Sequence, residues 1–128
     1  MNPAVFLKAN PRLNLALVFA AMAAIFIGSS LPGAKIPPSV SAFSQLLHAL
    51  EYAVLAFLIL PYATRWRRPI AYAVLIAAAY GVSDELHQLF VPGRFCDIVD
   101  VGFDCLGSMI GAFVSRRLVG PGEPVSRL

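Results

Sequence analysis

Two histidines and six carboxylates stand in an otherwise apolar stretch of chain, at spacings that let them act together. His48 and Glu51 are three residues apart and share a face of any helix that carries them. Asp84, His87 and Gln88 fall on one face together with Tyr80, and Glu85 sits beside them. Asp97, Asp100 and Asp104 make a stripe that continues through Gly107 and Gly111. Imidazole and carboxylate are the usual general acids and bases. They are also ligands for hard or borderline divalent cations. On these grounds Glu51, Asp84 and His87 are the catalytic candidates, and His48, Glu85, Gln88, Arg94, Asp100 and Asp104 are candidates for holding a substrate. No nucleophile and no ligand set of known spacing stands out, so a divalent metal is one option and its ligands are unassigned.

The setting of these residues is a chain of 128 residues that is 59% hydrophobic and only 13% charged. A soluble domain carries about a quarter charged residues. The composition excludes a disordered tail, a nucleic-acid-binding arm and a water-soluble globule, and points to an integral membrane protein. The net charge of +3 is not gathered on one face, so no nucleic-acid partner is expected.

Residues 13–34 contain no charge. A second apolar span covers about 41–62, a third runs from Pro69 through Val82 into the polar string 83–88, and a fourth covers about 97–114. At about 20 apolar residues per crossing, these make four membrane spans. The expected fold is all-α, a polytopic four-transmembrane-helix bundle, with a segment 1–12, a membrane domain 13–115 and a disordered tail 116–128. Nine of the ten prolines fall outside these spans or at their first position, and Pro61 sits in a last turn. The first span exceeds the roughly 7–15 residues of a signal-peptide core and is read as an uncleaved helix. Lys8, Arg12, Arg65, Arg67, Arg68, Arg116, Arg117 and Arg127 lie on one side of this arrangement, against Lys35 and Arg94 on the other. By the positive-inside rule both termini are cytoplasmic. Cys96 and Cys105 are too far apart along a helix for a disulfide and are expected as free thiols.

Counting from the arginines at about 1.5 Å per residue places Ser29, Ser30, His48, Glu51, Asp84, Glu85, His87, Asp100 and Asp104 at depths of about 18–28 Å. In a hydrocarbon core about 30 Å thick, that is one layer in the outer third. Ionisable groups in a membrane span are costly, so they face the bundle interior, find partners and mark functional sites. Below the layer, Gly107-x-x-x-Gly111 lets helices approach closely, so the bundle should pack tightly there and open into a polar pocket above. Pro92-Gly93 suits the central positions of a type II turn, which would hold Arg94 over the carboxylates, either neutralising them or binding an anionic head group.

Taken together, His48-x-x-Glu51-Tyr52, Asp84-Glu85-x-His87-Gln88-x-Phe90-x-Pro92-Gly93-Arg94, Asp97-x-x-Asp100, Asp104-x-x-Gly107-x-x-x-Gly111 and Ser29-Ser30-Leu31-Pro32 resemble the VanZ-like membrane protein family over about residues 13–115. The resemblance implies a small polytopic protein of the bacterial cytoplasmic membrane, associated with low-level resistance to the glycopeptide teicoplanin by an undefined mechanism. Three functional readings follow. The pocket, facing outside, binds an envelope lipid or peptidoglycan precursor; or the acids and histidines catalyse a reaction on a lipid-linked or phosphorylated envelope substrate; or they are hydrogen-bonding glue between helices. Membrane lipids are expected partners in each case. A carrier built from four helices without inverted repeats would also need a second copy of itself, which makes a homo-oligomer a further expectation.

Overall fold

The computed structural model describes residues 2–41 and 43–120. Among them the chain forms α-helices and no strand: α1 (Pro3–Ala9), α2 (Pro11–Ser29), α3 (Pro38–Ser41), α4 (Ser44–Ala63), α5 (Pro69–Gln88) and α6 (Ile98–Val119). A short 3-10 turn, Gly33–Lys35, lies between α2 and α3. Four of these, α2, α4, α5 and α6, are long and apolar enough to cross a membrane. Proline opens α1, α2, α3 and α5, where its missing N–H costs nothing and its fixed φ suits the first turn.

Contacts between the spans set their directions. Ser29 of α2 meets Asp84 of α5, and Tyr80 of α5 reaches the Met22 carbonyl, so α2 and α5 run parallel. Gly107 and Gly111 of α6 lie against Ala49 and Ala53 of α4, so that pair is parallel too. Asn14 of α2 donates to the Leu58 carbonyl at 3.0 Å, and the Tyr62 hydroxyl reaches the Pro11 carbonyl, which makes α2 and α4 antiparallel. The result is an up-and-down bundle with one polar and one basic end. Large apolar side chains such as Phe19, Ile27, Leu50, Leu75 and Ile98 face outward, as lipid requires.

Packing is closest between α4 and α6. A Cβ at Gly107 would stand 2.0 Å from the Ala49 carbonyl oxygen, and one at Gly111 would stand 1.9 Å from that of Ala53. Lipid tails are as apolar as the helices, so association depends on such contact and not on burial of apolar area. Here the Gly-x-x-x-Gly element does what its spacing predicts.

Three boundaries differ from the sequence expectation. The segment before α2 is helical: Asn2 caps α1 by accepting from Ala4 and Val5, its amide donates to the Leu118 carbonyl at 2.8 Å, and Leu7 joins the core. The first span ends at Ser29 instead of reaching residue 34, because Pro32 and Gly33 turn the chain into the 3-10 segment. The last helix runs through Arg116 and Arg117 to Val119, since positive charge favours a helix C-terminus and long basic side chains reach the membrane surface. The remainder of the expected tail, 121–128, lies outside the described residues. Cys96 and Cys105 are free thiols, as the spacing requires.

Candidate functional site

Each spanning helix delivers polar residues to the same end of the bundle. α2 does so with its last turn, α4 and α6 with their first turns, and α5 with its last. The Ser29 hydroxyl donates to Asp84 Oδ1 at 2.6 Å, and Ser30 Oγ lies 3.0 Å from His87 Nε2. His87 also stacks on Phe26, with ring centroids 4.5 Å apart. On the other side of α5, His48 Nδ1 lies 2.9 Å from Asp104 Oδ1, while its Nε2 faces Asp100 Oδ2 at 3.6 Å and Glu85 Oε1 at 3.9 Å. Glu85 accepts the Asp97 backbone N–H at 2.9 Å, tying the end of α5 to the start of α6. Asp97 itself caps α6 by accepting from Val99.

Gln88 is the link between the carboxylates and the loop. Its Nε2 donates to Asp84 and Glu85 at 3.4 and 3.3 Å, and its Oε1 accepts from Nε and Nη2 of Arg94 at 3.1 and 2.8 Å. Arg94 is placed there by a turn in which its N–H donates to the Val91 carbonyl at 3.1 Å and Gly93 adopts φ 73°. That is the type II geometry the Pro-Gly pair predicts. Arg94 nevertheless makes no ion pair with a carboxylate among the described residues; its partner is a neutral amide, and part of its guanidinium remains for another ligand.

Two glycines without an obvious sequence signal complete the site. Gly33 packs so closely on the turn that a Cβ would stand 2.0 Å from the Gly93 carbonyl oxygen, and its N–H donates to the Pro92 carbonyl at 3.0 Å. The Ser-Ser-Leu-Pro and Pro-Gly-Arg segments, 60 residues apart, are thereby clasped together. Gly81 on α5 makes room for Asp104, whose Oδ2 would lie 2.7 Å from a Cβ there.

The candidate residues differ in burial. His48, Asp84, Glu85, Gln88 and Asp104 are buried, His87, Arg94 and Asp100 are half-buried, and Glu51 is exposed. Among the described residues Glu51 makes no side-chain hydrogen bond, and it is exposed on α4. Side-chain contacts of α2 at this end go to α5, whereas its bonds to α4 lie near the basic end. Within the polar layer, hydrogen bonds join Ser29 to Asp84 and Gln88 to Asp84, Glu85 and Arg94. Two cavities lie towards the basic end: about 170 Å³ beside Leu7, Asn14 and Tyr62, and about 540 Å³ beside Arg68, Val74 and Arg116.

Chemically, the arrangement offers a histidine oriented by a buried carboxylate, further acids within reach of its free nitrogen, and a guanidinium with spare donors at the rim. The family model described as VanZ/LLP1 matches residues 4–119, a span that includes all of these groups and α1 as well. No curated protein and no solved structure matches the chain.

Proposed function

Given that the chain belongs to the VanZ/LLP1 family and is a membrane protein with four helices able to span the bilayer, we propose that it binds the polar head group of an envelope-related lipid or peptidoglycan precursor at its polar end. The observation that carries this reading is Arg94: two of its nitrogens bond the neutral Gln88 amide, which holds the guanidinium at the rim without discharging it on the acids below. A guanidinium so placed suits phosphate or carboxylate, which it can engage through its remaining N–H groups. The basic residues cluster at the other end, so by the positive-inside rule the polar end faces outward from the bacterial cytoplasmic membrane. A contribution to glycopeptide susceptibility, teicoplanin included, is part of the same reading, because a protein that holds an envelope precursor changes what the drug can reach.

The test is binding of a long-chain lipid phosphate to the protein in nanodiscs, compared with Arg94→Gln. The variant should bind about tenfold more weakly, the loss of one charge-assisted contact. Equal binding would remove the basis for the proposal. A second reading, acid–base catalysis on a lipid-linked or phosphorylated envelope substrate, is favoured by the His48–Asp104 contact, which orients the imidazole as a base requires. Turnover of that lipid lost in Asp104→Ala but not in Arg94→Gln would favour it over binding alone.

A further inference from the structure

Asp104 uses only one nitrogen of His48. An ionised carboxylate accepts and cannot donate, so the proton between Asp104 Oδ1 and His48 sits on Nδ1, and in the neutral ring Nε2 carries a lone pair. That lone pair faces Asp100 Oδ2 at 3.6 Å and Glu85 Oε1 at 3.9 Å. Both distances are too long for hydrogen bonds. With the ring neutral, three acceptor atoms converge on one point, and the His48 and Glu85 side chains are 9% and 1% exposed and Asp100 14%. The other Asp100 oxygen, Oδ1, is buried without a hydrogen-bond partner among the described residues. Facing lone pairs repel, and burial removes the water that would screen them.

These separations match what ligands of one ion require. With each ligand about 2.1 Å from the metal, ligand atoms lie roughly 3.4 Å apart in a tetrahedral site and at most about 4.2 Å apart. The two measured pairs fall inside that window. One ligand atom from each of His48, Glu85 and Asp100 lies within 4.8 Å of the other two.

We propose that His48 Nε2, Glu85 and Asp100 bind a divalent cation of the borderline class, Zn²⁺ or Mn²⁺, with Asp104 as the residue that positions the imidazole. One nitrogen and two carboxylates favour such ions over Ca²⁺, which takes six to eight oxygens, and over Mg²⁺, which keeps most of its water. The ion cancels the two carboxylate charges. Asp104 Oδ1 on the far nitrogen is the carboxylate–histidine–metal arrangement that fixes tautomer and ring orientation. Three protein ligands leave a coordination position open for water or an anionic oxygen. The site goes beyond head-group binding and does not depend on it.

The protein, purified in detergent and stripped with a chelator, is reloaded with Zn²⁺ or Mn²⁺ and its metal content measured after equilibrium dialysis, with size-exclusion chromatography as the check on folding. The expected result is one ion per chain, not displaced by a hundredfold excess of Mg²⁺. His48→Gln should abolish retention, Asp100→Asn should weaken it at least tenfold, and Asp104→Asn should weaken it by about 10- to 100-fold through the imidazole. Ser83→Ala, an exposed hydroxyl of α5 that donates to the Tyr80 carbonyl, should bind as the parent does. If His48→Gln aggregates, Asp100→Asn decides alone. A parent protein that retains no ion, or an Asp100→Asn variant that binds like the parent, would overturn the proposal and leave His48 as a doubly protonated partner of the acids. Arg94→Gln should keep its metal, so failure here and failure of lipid binding are separate results.

Discussion

Asp104 on α6 and His48 on α4 meet at 2.9 Å, in the layer where Gly107 packs on Ala49 one turn further along. The polar contact and the glycine contact are neighbours on the same helix pair, and each holds the other in register. Removing the carboxylate while keeping the ring should therefore act on stability as well as chemistry. Asp104→Ala leaves a buried imidazole without its acceptor and should cost about 1–3 kcal/mol. Asp104→Asn should recover much of that, since an amide oxygen still accepts the Nδ1 proton. Equilibrium unfolding in mixed micelles gives both values, and equal losses in the two variants would show that the hydrogen bond contributes nothing.

The glycine seam makes its own prediction. Gly111→Ala must push α6 away from the Ala53 carbonyl, at a cost of about 1–3 kcal/mol for an overpacked contact. Gly102→Ala lies on the same helix, where a Cβ meets nothing within 4 Å, and should leave stability unchanged or slightly raised. A thermal melt in detergent that ranks the two alike would mean that the seam is not what holds α4 to α6.

Much of this was readable before the structure, and for identifiable reasons. Helical period placed Asp100 and Asp104 on one stripe with Gly107 and Gly111, and depth counting from the arginines put Ser29, His48, Asp84 and Asp104 in one layer. Period fails where a residue lies at the edge of a face: Glu51, three positions from His48, shares its side of α4 but is rotated off the seam, and it ends exposed. The α1 helix carries too few residues to show a pattern and is fixed by its Asn2 cap and by contacts with α4 and α6. Gly33 and Gly81 gave no signal, because their purpose is the close approach of segments distant in sequence. Period and depth gave no sign that Ser29 bonds Asp84, or that Gln88 bonds both acids and Arg94, because such pairings depend on how the side chains settle at the end of the bundle.

Gln88 can be used to ask whether Arg94 is kept available on purpose. Gln88→Glu turns the neutral acceptor into a charged one, and the resulting bidentate pair should occupy the guanidinium. Affinity for a lipid phosphate in nanodiscs should fall about tenfold, as in Arg94→Gln, although no positive charge has been removed. Unchanged affinity would mean that the arginine does not contact the phosphate.

Orientation can be read from a residue already in the chain. Cys96 is exposed, lies two residues beyond Arg94, and belongs to the loop at the polar end; Cys105 is partly buried within α6. With Cys105→Ala as background, a membrane-impermeant maleimide added to intact cells should label Cys96, because the positive-inside rule assigns the basic end to the cytoplasm. The exposed thiol is not in the hydrogen-bonded network, so labelling needs no opening of the site. If Cys96 reacts only after the cells are broken, the polar layer faces inward, and the ligand it meets would come from the cytoplasmic leaflet and not from the envelope.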